Sequence, residues 1–128
     1  PSSPRPDDAA GTAVFEATGC ARCHRPELAG KDGNPVTLYS DLLLHDLGDG
    51  LEGIAELQGQ TAAEWRTAPL LGLQKRLDAG STLLHDGRAR SVEEAVLWHG
   101  GTAQEARDAY VRLTADERRA LEDFVLSR

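Results

Sequence analysis

The sequence predicts an all-α domain with long loops, and three observations predict it. Three capping boxes stand in series in the last third: Ser91-Val-Glu-Glu94, Thr102-Ala-Gln-Glu105 and Thr114-Ala-Asp-Glu117. Near the start, Ala10, Ala13, Val14 and Ala17 recur at helical spacing. No period-two alternation persists along the chain.

In chain order, the first helix is expected over Asp7 to Thr18, capped by Asp7 or Asp8 and stopped by Gly19. Residues 25–36 read as loop, broken by Pro26, Gly30, Gly33 and Pro35. Leu38 to Leu47 (LYSDLLLHDL) reads as a short helix starting near Ser40, and Gly48, Gly50 and Gly53 forbid long regular structure after it. Thr61-Ala-Ala-Glu64 has capping-box form and predicts a helical turn carrying Trp65 and Arg66. Pro69 and Gly72 break the next segment, and Gln74 to Arg90 reads as irregular and polar. The three later boxes open helices over about 92–99, 103–113 and 115–127. The last of these puts Ala120, Leu121, Phe124 and Val125 on one face.

Length points to one domain over 7–128. Residues 1–6 (Pro1, Pro4 and Pro6 with Ser2 and Ser3) read as a linker or cloned boundary of a longer protein. Apolar residues make up 40% and aromatic residues 5%, so the interior should be thin, a deficit that a large apolar cofactor would fill. The net charge of −7 argues against nucleic acid and anionic membrane surfaces, while permitting a basic protein partner. No run approaches the roughly 20 apolar residues of a membrane span, and the start PSSPRPDDAA has no apolar signal-peptide core.

Both cysteines of the chain lie in Cys20-Ala-Arg-Cys23-His24. A disulfide there would close a very small loop and add little stability. A thioredoxin-like pair expects a preceding strand, not a helix. A zinc site needs four ligands, and the remaining histidines would supply only two more at awkward spacing. The fourth reading is covalent heme attachment, for which C-x-x-C-H is the motif. Two thiols add across the vinyl groups on one porphyrin edge, and His24 lies under the iron as proximal ligand. The fold expected is then a cytochrome c-like helical domain with long loops around one covalent heme c.

The chain has no methionine, so the second iron ligand is something else or nothing, and the candidates are His45, His85 and His99. His45, beside Gly48 and Gly50, reads as a hydrogen-bonded turn residue, and His85 as a loop residue bonded to backbone. His99 ends the helix opened by Ser91, among Val92, Ala95, Val96 and Trp98. Arg66, beside Trp65, is the candidate for a heme propionate, since a guanidinium forks onto a carboxylate. Trp65 and Trp98 are expected to pack against the heme.

Four further segments occur in order: YSDLLLHDLGDGL (39–51), EWRTAPLLGL (64–73), LLHDGRARSVEEAVLWHGGTAQEAR (83–107) and LTADERRALEDFVLSR (113–128). In these, from about Phe15 to the end, the chain resembles the C-terminal heme domain of the di-heme oxidoreductase (putative peroxidase) family. Its relatives include bacterial di-heme cytochrome c peroxidases and the di-heme enzyme of methylamine utilisation. The chain carries one heme motif where the family usually has two, and Leu47 stands where methionine is often found. The resemblance implies crossed first and last helices beside the heme, with Phe15 and Phe124 at the crossing. It also implies His99 as distal ligand, because the relatives' ligand follows a loop histidine by the interval that separates His99 from His85. The expectation is a monomeric monoheme electron-transfer domain with bis-histidine ligation by His24 and His99. It would serve a redox protein partner or a fused redox domain in a periplasmic or secreted setting. The rivals are a peroxidase or oxidase whose distal site opens, and a heme sensor.

Overall fold

The computed structural model describes residues 8–53 and 61–128. Helix α1 (Asp8–Ala17) ends where Gly19 takes a left-handed backbone, φ 86°. A tight turn over Cys20–Arg22 comes next. Two short antiparallel ladders are then formed: β1 (Glu27–Ala29) with β2 (Pro35–Thr37), and β3 (Leu44–Asp46) with β4 (Glu64–Arg66). The remaining helices are α2 (Leu73–Asp78), α3 (Val92–Trp98), α4 (Gln104–Val111) and α5 (Ala115–Leu126). No helix among the described residues is long and apolar enough to cross a membrane. The linker assigned to residues 1–6 and the cap assigned to Asp7 lie outside the described residues.

The all-α expectation is therefore corrected: the domain is mixed, with four strands of three residues each among the described residues. A three-residue strand is too short to display a period, and each of these depends on a partner across a turn or a long connection. Two further differences have local causes. The segment from Ser40 is not a helix, because Tyr39 and Leu42 adopt left-handed φ values of 53° and 58°. Ser40, fully buried, instead donates to the Thr67 carbonyl at 2.7 Å and accepts from the Leu42 amide. The Thr61 box forms only its Glu64 half, with the carboxylate taking the Thr61 N–H, and Trp65 and Arg66 then run on in β4. Helix α2 lies inside the stretch read as irregular.

The strongly capped helices behave as their sequences require. At α5 both halves of the box form between Thr114 and Glu117. At α3 the Ser91 hydroxyl takes the Glu94 amide, while the Glu94 carboxylate takes the Arg90 amide. The Thr102 box does not form. Its hydroxyl donates to the Asp46 carbonyl instead, and α4 begins after a tight turn over Gly101–Ala103.

The first and last helices make the most extensive helix contact. Phe15 and Phe124 meet there, ring centroids 5.1 Å apart, with Tyr39 edge-on to both. Gly11 makes the close approach possible: a Cβ there would stand 2.4 Å from Phe124 Cβ and 2.5 Å from the Ala120 carbonyl oxygen. Arg128 closes the crossing, pairing with Asp8 at 2.6 Å and lying over the Phe124 ring. Gly11→Val is expected to destabilise the domain by about 2–4 kcal/mol, since the helices must separate. A urea midpoint equal to that of the unmodified protein would contradict this packing.

Candidate heme site

The motif forms one compact turn. The Cys23 and His24 amides both donate to the Cys20 carbonyl, which brings Cys20, Cys23 and His24 to one wall of a cavity of about 340 Å³. That size lies within the range of small-molecule and cofactor sites. Much of the rest of the wall is the core itself: Phe15, Leu73, Leu83, Val92, Leu121 and Val125 belong to both. The thin interior expected from composition is thus a core with a cavity at its centre.

His24 is held by the chain just downstream of it. Residues 38–41 run back beside 23–26, joined by Ser40 N–H to the Arg25 carbonyl and Asp41 N–H to the Cys23 carbonyl. This brings the Tyr39 carbonyl to 3.0 Å from His24 Nδ1. A carbonyl only accepts, so Nδ1 carries the proton and Nε2 keeps its lone pair. Burial pushes the His24 imidazole down to about 4; the Tyr39 and Ala68 carbonyls oppose this, and His99 adds to it by charge repulsion. The ring is therefore neutral at neutral pH, the state a metal ligand requires.

His99 caps the C-terminus of α3 and lines the same cavity. Its Nδ1 lies 2.7 Å from the Ala95 carbonyl, which fixes the same tautomer. Burial lowers its affinity for a proton too, with the Ala95 bond opposing. Both rings keep part of their surface accessible because one side of each borders the cavity. Among the described residues no hydrogen bond engages Nε2 of His99.

The two thiols are unpaired. Burial raises the pKa of Cys20, and burial followed by the nearby Asp41 charge raises that of Cys23. Thr18 Oγ1 donates to the Val14 carbonyl and lies 3.3 Å from Cys20 Sγ, a contact that opposes but does not cancel the effect of burial. This wall favours uncharged sulfur, the opposite of what a redox dithiol or a thiolate metal site needs. Cys23, Asp41 and His45 do bring ligand atoms within 4.8 Å of one another. The raised Cys23 thiol makes that trio a poor metal site, and Asp41 is already engaged by Thr67, the Leu43 amide and His45.

The β3–β4 ladder supplies a further wall. His45 stands opposite Trp65 in register, and both line the cavity. His45 Nε2 is bound to Asp41 Oδ2 at 2.8 Å. Among the described residues His85 makes no hydrogen bond to backbone, contrary to expectation; it stacks on Trp65, centroids 3.8 Å apart and planes 10° from parallel. Trp98 does not line the cavity: it is exposed under the Arg88 guanidinium. Arg66 lies at the cavity wall, on β4 rather than on a helical turn, and its Nη1 donates to the Leu42 carbonyl. Sequence reasoning missed Arg76 and Arg107, which also line the cavity. It also missed the Tyr39 carbonyl, since a backbone acceptor carries no residue signature.

An apolar cavity bordered by the neutral imidazoles of His24 and His99 and by two uncharged thiols, with His45 and His85 also on its wall, suits an iron porphyrin and fits a heme-binding redox domain. The chain belongs to the di-haem oxidoreductase family: the family profile described as "Di-haem oxidoreductase, putative peroxidase" matches residues 5–128. No curated protein and no solved structure matches it.

Proposed function

We propose that this chain is a monoheme c-type cytochrome domain that passes single electrons. Its heme is bonded to Cys20 and Cys23 and held axially by His24 and His99. The observation that carries this reading is the pair of half-buried histidines from distant parts of the chain. Each has Nδ1–H tied to a carbonyl and borders the same cavity as both thiols. The heme supplies one-electron exchange at its iron. The protein keeps both imidazoles neutral and aimed, excludes water with the core side chains, and presents thiols that become uncharged thioethers. Burial that penalises a thiolate does not penalise a thioether. Arg66 is a propionate partner in this reading, released from the Leu42 carbonyl.

The chain carries a single C-x-x-C-H motif within a family described as di-haem. The electron partner is therefore a second redox centre, on another protein or a fused domain. Heme attachment to such motifs points to an extracytoplasmic setting.

With both axial positions filled, the reduced domain should not bind carbon monoxide. Peroxide turnover should stay far below the roughly 1–10³ per second of dedicated enzymes. Absorption spectra of both oxidation states, with and without carbon monoxide and peroxide, check this. Rapid carbon monoxide binding with turnover in that range would make the domain an enzyme with an open iron site.

A further inference from the structure

Directly after His99 the chain makes a very close backbone approach to another segment. A Cβ on Gly100 would stand 2.8 Å from the Leu47 carbonyl oxygen, and one on Gly48 would stand 3.0 Å from the Gly101 amide nitrogen. At Gly101, with φ of 52°, a Cβ would stand 2.3 Å from the Asp46 carbonyl oxygen. The Thr102 hydroxyl then donates to that same Asp46 carbonyl at 2.8 Å. Residues 46–48 are themselves anchored. Asp46 ends β3 opposite Glu64, the Leu47 amide donates to the Ala63 carbonyl, and the Asp46 carboxylate takes the Gly48 amide. Glycine therefore lies against glycine, and the loop carrying His99 is latched onto the end of a sheet.

We propose that this latch is the positioning device for His99. Gly48, Gly100 and Thr102 hold the His99 loop at the separation that keeps Nε2 on the iron. Loosening them turns a closed electron-transfer heme into one that accepts an external ligand. The proposal rests on the bis-histidine reading. Its physical basis is that α3 ends at Trp98, so His99 has helix on one side only. Its other side is fixed by the contact with 46–48. The Ala95 carbonyl sets the tautomer and tilt of the ring, but not where the loop itself stands.

Gly100 offers a clean wedge. Its backbone, φ −127° and ψ −160°, is one that alanine adopts freely, so Gly100→Ala adds only the steric overlap with the Leu47 carbonyl. The test uses the heme-loaded protein. Gly100→Ala should raise the high-spin ferric fraction, and the carbon monoxide affinity of the reduced protein, by about tenfold or more. The mass of covalently held heme should stay unchanged. Thr102→Val should move both readouts the same way by less, and Thr102→Ser should restore them. Gly50→Ala, whose Cβ meets only the Trp98 ring at an ordinary 3.6 Å, should move neither.

His99→Ala, measured in parallel, separates the two readings. If it becomes high-spin while Gly100→Ala and Thr102→Val both stay low-spin and inert to carbon monoxide, the latch is refuted and the ligand assignment stands. If His99→Ala keeps the unaltered low-spin spectrum, the ligand assignment fails and the latch falls with it. Should Gly100→Ala fail to fold with heme, Thr102→Val decides alone.

Discussion

Replacing both Cys20 and Cys23 with alanine is expected to abolish covalent heme and leave a chain that does not hold a stable fold. The two effects have one cause. Nine buried residues form the main core, and six of them border the cavity as well as one another. An enclosed apolar void of about 340 Å³ would cost on the order of 8 kcal/mol at ~24 cal/mol per Å³. Water entering through the open mouth lowers that figure. It remains comparable to the whole stability of a domain, about 5–15 kcal/mol. The heme is thus expected to be the centre of the core. The unmodified protein, matured with heme-attachment machinery, should gain the mass of one heme that resists acidic acetone. The double variant should lose that mass and its cooperative thermal transition. Heme that extracts freely from the unmodified protein, or zinc in its place, would overturn the attachment reading.

His99→Met is expected to raise the reduction potential by on the order of 0.1 V, within the ~0.8 V that axial ligands span. It should also add a methionine–iron charge-transfer band. Thioether sulfur favours the ferrous state relative to imidazole, so methionine ligation raises the potential. His99→Ala should instead give a high-spin heme open to added ligands. Two features choose His99 over His45. No hydrogen bond among the described residues engages His99 Nε2, and its other nitrogen is already fixed by the Ala95 carbonyl. His45 Nε2 is bound to Asp41 at 2.8 Å. A low-spin spectrum that survives His99→Ala and is lost in His45→Ala would move the ligand to His45.

The candidate site was legible where its chemistry is local. C-x-x-C-H is five consecutive residues, and one turn brings its two sulfurs and imidazole to one wall. His99 was singled out by the family resemblance, through its interval from His85, with its place at a helix end and the lack of methionine in support; the structure places it on the cavity wall. Arg66 was found at the cavity wall, but on a strand and bonded to a carbonyl that sequence does not reveal. The stacking of His85 on Trp65 joins residues from separate parts of the chain and left no trace in either.

The sequence by itself determined α1, α3 and α5, because a 3.6-residue period, and for α3 and α5 a cap, are written within a dozen residues. It determined the motif and the shortage of core. The tertiary structure alone decided the four strands, the non-helical path of residues 38–47, and the use of Thr102 as a tie to Asp46 rather than a helix cap. Each of these depends on a partner outside the segment itself, up to 56 residues away. A backbone carbonyl in the right place outweighs the weak local preference of a three- or four-residue segment.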